Sequence, residues 1–307
     1  MESNGEALFE NFGAEPSAEG AMQAWADRYW TSRDGLKLHY RDYAGPSDRP
    51  PLLMLHGLTR NSRDFEDVAA RYAGEWRVIA PDFRGRGMSE RDPDSSRYLP
   101  PTYAADVLQL LDELKISETV FLGTSLGGLV TMIIAAIAPQ RLAGVILNDV
   151  GPEIDLSGID RIKSYVGKPV IFRNWDDVAD QLQARAGDVH PAYSREDWLR
   201  FARRTCRETD RGIEFDYDMA IADPFNAGNT GEAPDGWPYY RNLNGRPVLV
   251  LRGEYSDLLS DAAAARMATE IDDVEVVMVP GVGHAPDLSE PAAVAAIDHL
   301  LARFLRR

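Results

Sequence analysis

One stretch restricts this chain more than any other. Thr119–Leu122 is a short apolar run, it ends in Gly123-Thr124-Ser125-Leu126-Gly127-Gly128, and Leu129–Ala138 continues as an apolar helical segment. A buried strand that turns directly into a helix holds the turn residue in a strained backbone conformation, clear of the sheet. The residues two before and two after the turn come close together, which calls for glycine at 123 and 127. The following helix points its N-terminus at Ser125 and favours negative charge developing there. A G-x-S-x-G string alone is a weak signal. Between a buried-type strand and an apolar helix it marks an exposed nucleophile rather than an ordinary helix cap.

Strand-like and helix-like segments alternate on either side of this turn. Apolar runs occur at Leu52–Leu55, Arg77–Ala80, Gly144–Leu147, Val248–Leu251 and Val274–Val279. Most are continuously apolar, as in strands buried on both faces of a parallel sheet. Arg28–Thr31 and Leu36–Tyr43 flank Asp34-Gly35, a hairpin signal. Tyr103–Lys115 carries apolar residues at helical spacing, with Thr102 as the expected cap. Residues 126–138 and 291–305 read as further helices. The pattern is that of an α/β sheet with right-handed crossovers.

Two parts depart from it. Residues 1–26 are polar and acidic and read as an N-terminal arm. Residues 151–240 contain no run of the buried-strand type; Tyr165, Phe172, Trp175, Tyr193, Trp198 and Phe201 sit there among charged helical stretches. This segment is expected to be a mostly helical cap, inserted between core segments 27–150 and 241–307.

A serine hydroxyl needs a base. Five histidines are available, His39, His56, His190, His284 and His299. An elbow of this kind goes with the chain order nucleophile, acid, histidine, which leaves the last three. His190 falls in the expected cap, and His299 in an amphipathic helix where a solvated histidine is the simpler reading. His284 lies in Pro280-Gly281-Val282-Gly283-His284-Ala285-Pro286, directly after the last strand, and is the expected base. The acid that orients it is expected at Asp257, in the loop after Val248–Leu251. Glu254 and Asp149 are the rivals, Asp149 because it ends the strand run at Gly144–Leu147. The oxyanion donors are expected to be the backbone N–H groups of Leu126 and Leu58, with Gly57 in the same turn and His56 bracing it through its ring.

Composition narrows the partners. The formal net charge is −16, so the mean field repels nucleic acid and anionic membranes. No secretory signal and no apolar run of membrane-spanning length occurs, and Cys206 is the single cysteine. A cytoplasmic protein acting on a small-molecule substrate, with no membrane or nucleic-acid partner, is the expectation; oligomeric state is not readable. No H-E-x-x-H or paired-cysteine spacing exists, so neither metal nor other cofactor is expected. Asp64-Phe65-Glu66-Asp67 and Asp92–Asp94 read as solvated faces. Arg84-Gly85-Arg86-Gly87 lacks the spacing of a phosphate loop, and Arg203, Arg204 and Arg207 read as charged helix surface rather than an anion site.

Taken together, His56-Gly57, Asp82-Phe83-Arg84-Gly85-Arg86-Gly87-Met88-Ser89, Gly123–Gly128, Gly253–Asp257 and Gly283-His284-Ala285-Pro286 resemble the α/β-hydrolase fold-1 superfamily over residues 28–305. The resemblance implies an eight-stranded, mostly parallel sheet with an antiparallel second strand, helices on both faces and a helical cap after the sixth strand. It implies serine-dependent hydrolysis of a carboxylic ester or lactone. Dehalogenases and epoxide hydrolases of this superfamily use an aspartate where Ser125 stands. The meta-cleavage C–C hydrolases, the alternative activity, usually carry His-Gly-x-Gly-Pro-Gly where this chain has His56-Gly57-Leu58-Thr59-Arg60-Asn61. Proline iminopeptidases usually carry a tryptophan beside the serine, absent here. A ligand-binding protein that kept the fold without the activity is the alternative of another class.

Overall fold

The computed structural model of the chain describes residues 24–226 and 235–305. The expected N-terminal arm therefore lies outside the described residues as far as residue 23. β1 (Ala26–Thr31) and β2 (Lys37–Tyr43) pair antiparallel around Asp34-Gly35. β3 (Leu52–Leu55) is followed by α1 (Glu66–Tyr72), β4 (Val78–Pro81) and α2 (Pro100–Glu113). Next come β5 (Thr119–Thr124), α3 (Leu126–Ile137) and β6 (Leu142–Asn148).

An inserted segment begins with α4 (Leu156–Tyr165), β7 (Ile171–Phe172), α5 (Trp175–Ala186) and α6 (Arg195–Thr205). It continues through β8 (Cys206–Thr209), β9 (Gly212–Phe215), the single turn α7 (Asp223–Asn226) and α8 (Trp237–Arg241). β10 (Val248–Gly253), α9 (Asp261–Glu270), β11 (Val274–Val279) and α10 (Pro291–Ala302) complete the chain.

Eight strands form one sheet in the order β1-β2-β4-β3-β5-β6-β10-β11. β2 runs antiparallel to both its neighbours, and β4 through β11 are parallel. The continuous apolar runs are explained by burial on both faces. Leu52 and Met54 of β3 enter one core while Leu53 and Leu55 enter the other, and β5 and β10 alternate in the same way. One core is closed by α1 and α10, the other by α2, α3, α8, α9 and the inserted segment. Fully burying one such side chain stabilises by about 1.5–3 kcal/mol. The strands whose C-terminal ends carry the site are thus held on both sides.

Three local expectations change. α2 starts at Pro100, with Leu99 as its cap and no capping side chain, so Thr102 lies inside the first turn. Proline suits those first positions because its missing N–H would have no intrahelical partner there. The inserted segment is not only helical: β7, β9 and β8 form a three-stranded antiparallel sheet. These strands span two to four residues, too short for an alternating pattern to stand out. Asp92 does not belong to a solvated face. It is 5% exposed and, with Asp34 and Asp106, surrounds the buried guanidinium of Arg84.

Candidate active site

Ser125 sits between β5 and α3 with φ 51°, ψ −115°, a conformation L-residues rarely adopt. The flanking glycines are sterically required. A Cβ on Gly127 would stand 2.0 Å from the Leu55 carbonyl oxygen, and one on Gly123 2.5 Å from the Gly127 carbonyl carbon. No larger residue fits without moving backbone. The Ser125 N–H donates to the Asn148 carbonyl (3.1 Å), tying the elbow to the end of β6.

The His284 ring lies against this serine. Its Nε2 is 3.0 Å from Ser125 Oγ. Its Nδ1 is 2.8 Å from Asp149 Oδ2. A carboxylate only accepts, so Nδ1 carries the proton and Nε2 is left to accept from the serine hydroxyl. The Asp149 side chain is fully buried. Its Oδ1 accepts from the Gly253 N–H (2.8 Å) and its Oδ2 also from the Ser256 hydroxyl (2.7 Å). Asp149 too has a positive φ, 55°.

Asp257, the expected acid, is not the carboxylate beside His284. It faces α4, where Arg161 holds both its oxygens, Nη2 at 2.8 Å from Oδ1. Burial alone would push its carboxyl up, but the Arg161 hydrogen bonds and charge overcome this and hold it below the usual range. The end of β10 and the loop after it therefore brace Asp149 through Gly253 and Ser256, and that loop places no carboxylate of its own on His284. Glu254 is engaged locally, accepting from the Gly281 N–H at 2.7 Å.

The turn after β3 lies next to Ser125: a Cβ on Gly57 would meet Ser125 Cβ at 3.8 Å. His56 Nε2 accepts from the Phe83 N–H (3.0 Å), so its Nδ1–H donates to the Gly57 carbonyl (2.7 Å). Its ring is fully buried, which pushes its pKa down to about 4 and keeps it neutral. Arg86, nearly fully buried, donates through Nε to the Leu58 carbonyl (2.9 Å) and through Nη1 to Tyr103. This brace was not read from the sequence, although Arg86 stands in the Asp82–Ser89 motif. Leu126 opens α3, so its N–H is among the helix donors that have no intrahelical partner.

Gly57, Leu58, Ser125 and His284 open into a cavity of about 450 Å³. The inserted segment forms much of its wall and is fixed to the sheet beside the histidine. The Gly283 N–H donates to the Val189 carbonyl at 2.8 Å. Arg60, two residues past Leu58, donates to Thr205 (2.7 Å) and lies 4.1 Å over the Phe201 ring. His190 stacks on Tyr193 at 4.3 Å, and burial pushes its pKa down to about 4. Of the arginines read as helix surface, Arg203 lies over Trp175, Arg204 pairs with Asp67 and Arg207 with Asp216.

Comparison with known proteins agrees with this architecture. The alpha/beta hydrolase family profile matches residues 52–297. A 3-hydroxybutyrate-oligomer hydrolase of Cupriavidus necator is 34% identical over 268 residues, 84% of this chain and 90% of that protein. A 2-(acetamidomethylene)succinate hydrolase of Mesorhizobium japonicum is 30% identical over 256 residues, 81% of this chain and 88% of that one. The crystal structure of an alpha/beta hydrolase from Novosphingobium aromaticivorans superposes with a TM-score of 0.88 at 50% identity, covering 92% of this chain and all of that one. The chain belongs to the alpha/beta hydrolase family and is a hydrolase of that fold. No helix among the described residues is long and apolar enough to cross a membrane.

Proposed function

We propose that the protein is a serine-dependent carboxylic-ester hydrolase working through an acyl-enzyme, with Ser125 as nucleophile, His284 as base and Asp149 as the orienting acid. The hydrogen-bonded series Ser125–His284–Asp149, at 3.0 and 2.8 Å, carries this reading. Ser125 Oγ attacks the ester carbonyl carbon as His284 Nε2 takes its proton. The carbonyl oxygen becomes an oxyanion, met by the backbone N–H groups of Leu126 and Leu58; one such donor is worth about 10²–10³ in turnover. His284 then returns the proton to the departing alcohol, leaving the acyl group on Ser125. Water attacks that ester by the same route, and the acid leaves.

Asp149 keeps Nδ1 protonated and stabilises the imidazolium formed in each half. The relative named for 3-hydroxybutyrate oligomers makes short hydroxyacid esters the first substrates to test. The test is turnover of 4-nitrophenyl butyrate and of a 3-hydroxybutyrate dimer by wild type and Ser125→Ala, with mass detection of an acyl adduct on Ser125. Loss of turnover by about 10⁴ or more is expected for the variant. Unchanged turnover would remove the proposal. A wild-type protein inert to esters but active on an aryl-dienoate ring-cleavage product would move it to C–C bond hydrolysis.

A further inference from the structure

The overall charge of −16 disfavours an anionic ligand, yet basic side chains outnumber acidic ones on the cavity wall. Three of the basic groups are neutralised in place. Arg60 is held by Asp64 at 2.7 Å, Arg161 by Asp257 at 2.8 Å, and Arg204 by Asp67. Lys168 and Arg185 are not. Neither has a carboxylate partner among the described residues; Lys168 donates to the Ser164 carbonyl, and Arg185 lies 5.8 Å from the Phe215 ring centre.

Both belong to the inserted segment and line the cavity, as does Tyr217. Burial pushes the Tyr217 hydroxyl up to about 12, and the Arg185 charge offsets part of this. The wall's second acid, Asp287, lies three residues beyond His284, has no cationic partner among the described residues, and accepts from the Tyr193 hydroxyl (2.6 Å) and the Ser289 N–H (2.9 Å). The uncompensated cations of the wall thus come from the inserted segment, and its uncompensated acid, Asp287, from the loop that carries His284.

We propose that Lys168 and Arg185 form a subsite for a substrate carboxylate, so that the preferred ester carries a free carboxylate on the part directed away from Ser125. This rests on the ester-hydrolase reading above. It names the end of the substrate that the inserted segment recognises. Two cations without a carboxylate partner can meet a substrate carboxylate with charge-assisted bonds, and Asp287 disfavours the reverse orientation.

The test compares 4-nitrophenyl hydrogen succinate with 4-nitrophenyl butyrate, esters of equal acyl length that differ in one carboxylate. Wild type should favour the charged ester in kcat/KM. Lys168→Gln/Arg185→Gln should lower the charged-to-neutral ratio about tenfold, through KM, the smaller end of what hydrogen bonds to a charged group contribute. Lys163→Gln, an exposed cation of α4 outside the cavity lining, should leave that ratio where it was. A ratio unmoved in the double variant, or lowered equally by Lys163→Gln, overturns the subsite. If Ser125→Ala abolishes turnover of both esters in that same case, the hydrolase reading stands alone. Turnover of both esters surviving Ser125→Ala overturns both readings.

Discussion

Asp149 receives hydrogen bonds from three residues in two separated parts of the chain: His284, and Gly253 and Ser256 at and just after the end of β10. Such a carboxylate is held in one geometry, and removing its charge strands a buried donor set. Asp257 differs at each point, being a third exposed in its side chain and bound to one arginine. Asp149→Asn should therefore cut kcat by about 10⁴, as loss of the acid does in a serine triad, whereas Asp257→Asn should keep kcat within about tenfold of wild type. Steady-state kinetics on one ester decides it; the reverse ranking would return the acid role to Asp257. The sequence pointed to Asp257, but chain order does not decide: both residues follow Ser125, precede His284 and come after a parallel strand. What separates them is which loop folds inward, and that depends on the Ser256 hydroxyl reaching back to Asp149, a contact 107 residues apart.

At the scale of elements, the parallel strands were legible because burial on both faces writes a continuous apolar run. Leu52–Leu55 matches β3 end for end and is buried throughout. Val274–Val279 matches β11 end for end, although that edge strand is only partly buried. The elbow was legible because sterics leave only glycine at 123 and 127. The inserted segment was legible only in outline, since its strands are short and the polar groups that help join it to the sheet are scattered along the chain. One of these is the Arg161–Asp257 pair, which joins α4 to the loop after β10. For a partly exposed pair the contribution is about 1 kcal/mol or less. Asp257→Asn should then raise amide exchange within Leu156–Tyr165 by up to about fivefold, with the exchange of β5 and β6 unchanged. Hydrogen exchange read by mass spectrometry checks this. Faster exchange spread over the central sheet would mean that the pair supports the whole fold and not the docking of α4.

For the whole molecule, two buried neutral histidines set how it meets acid. His56 braces the turn after β3 and His190 lies in the aromatic wall of the cavity; burial lowers each to about 4. In the unfolded chain both titrate near 6.5, so between pH 6.5 and 4 the unfolded state binds more protons. Stability from these groups is complete above pH 6.5 and is lost as the pH falls toward 4, by about 3 kcal/mol for each. Asp82 does not contribute in that window. Burial would raise its carboxyl, but His39 and the Ser62 N–H hold it at about 2, so its stabilisation persists until the pH drops below the ordinary aspartate range. The net charge of −16 acts in the opposite sense, because protonating surface carboxylates relieves self-repulsion. A variant comparison cancels that shared background. His190→Phe keeps an aromatic ring against Tyr193 and removes one titrating site. Its urea unfolding free energy should rise less steeply with pH between 4.5 and 6, by about the slope of one proton. Equal slopes for the two proteins would show that His190 is protonated alike in the folded and unfolded chain, and that the cavity wall does not exclude its charge.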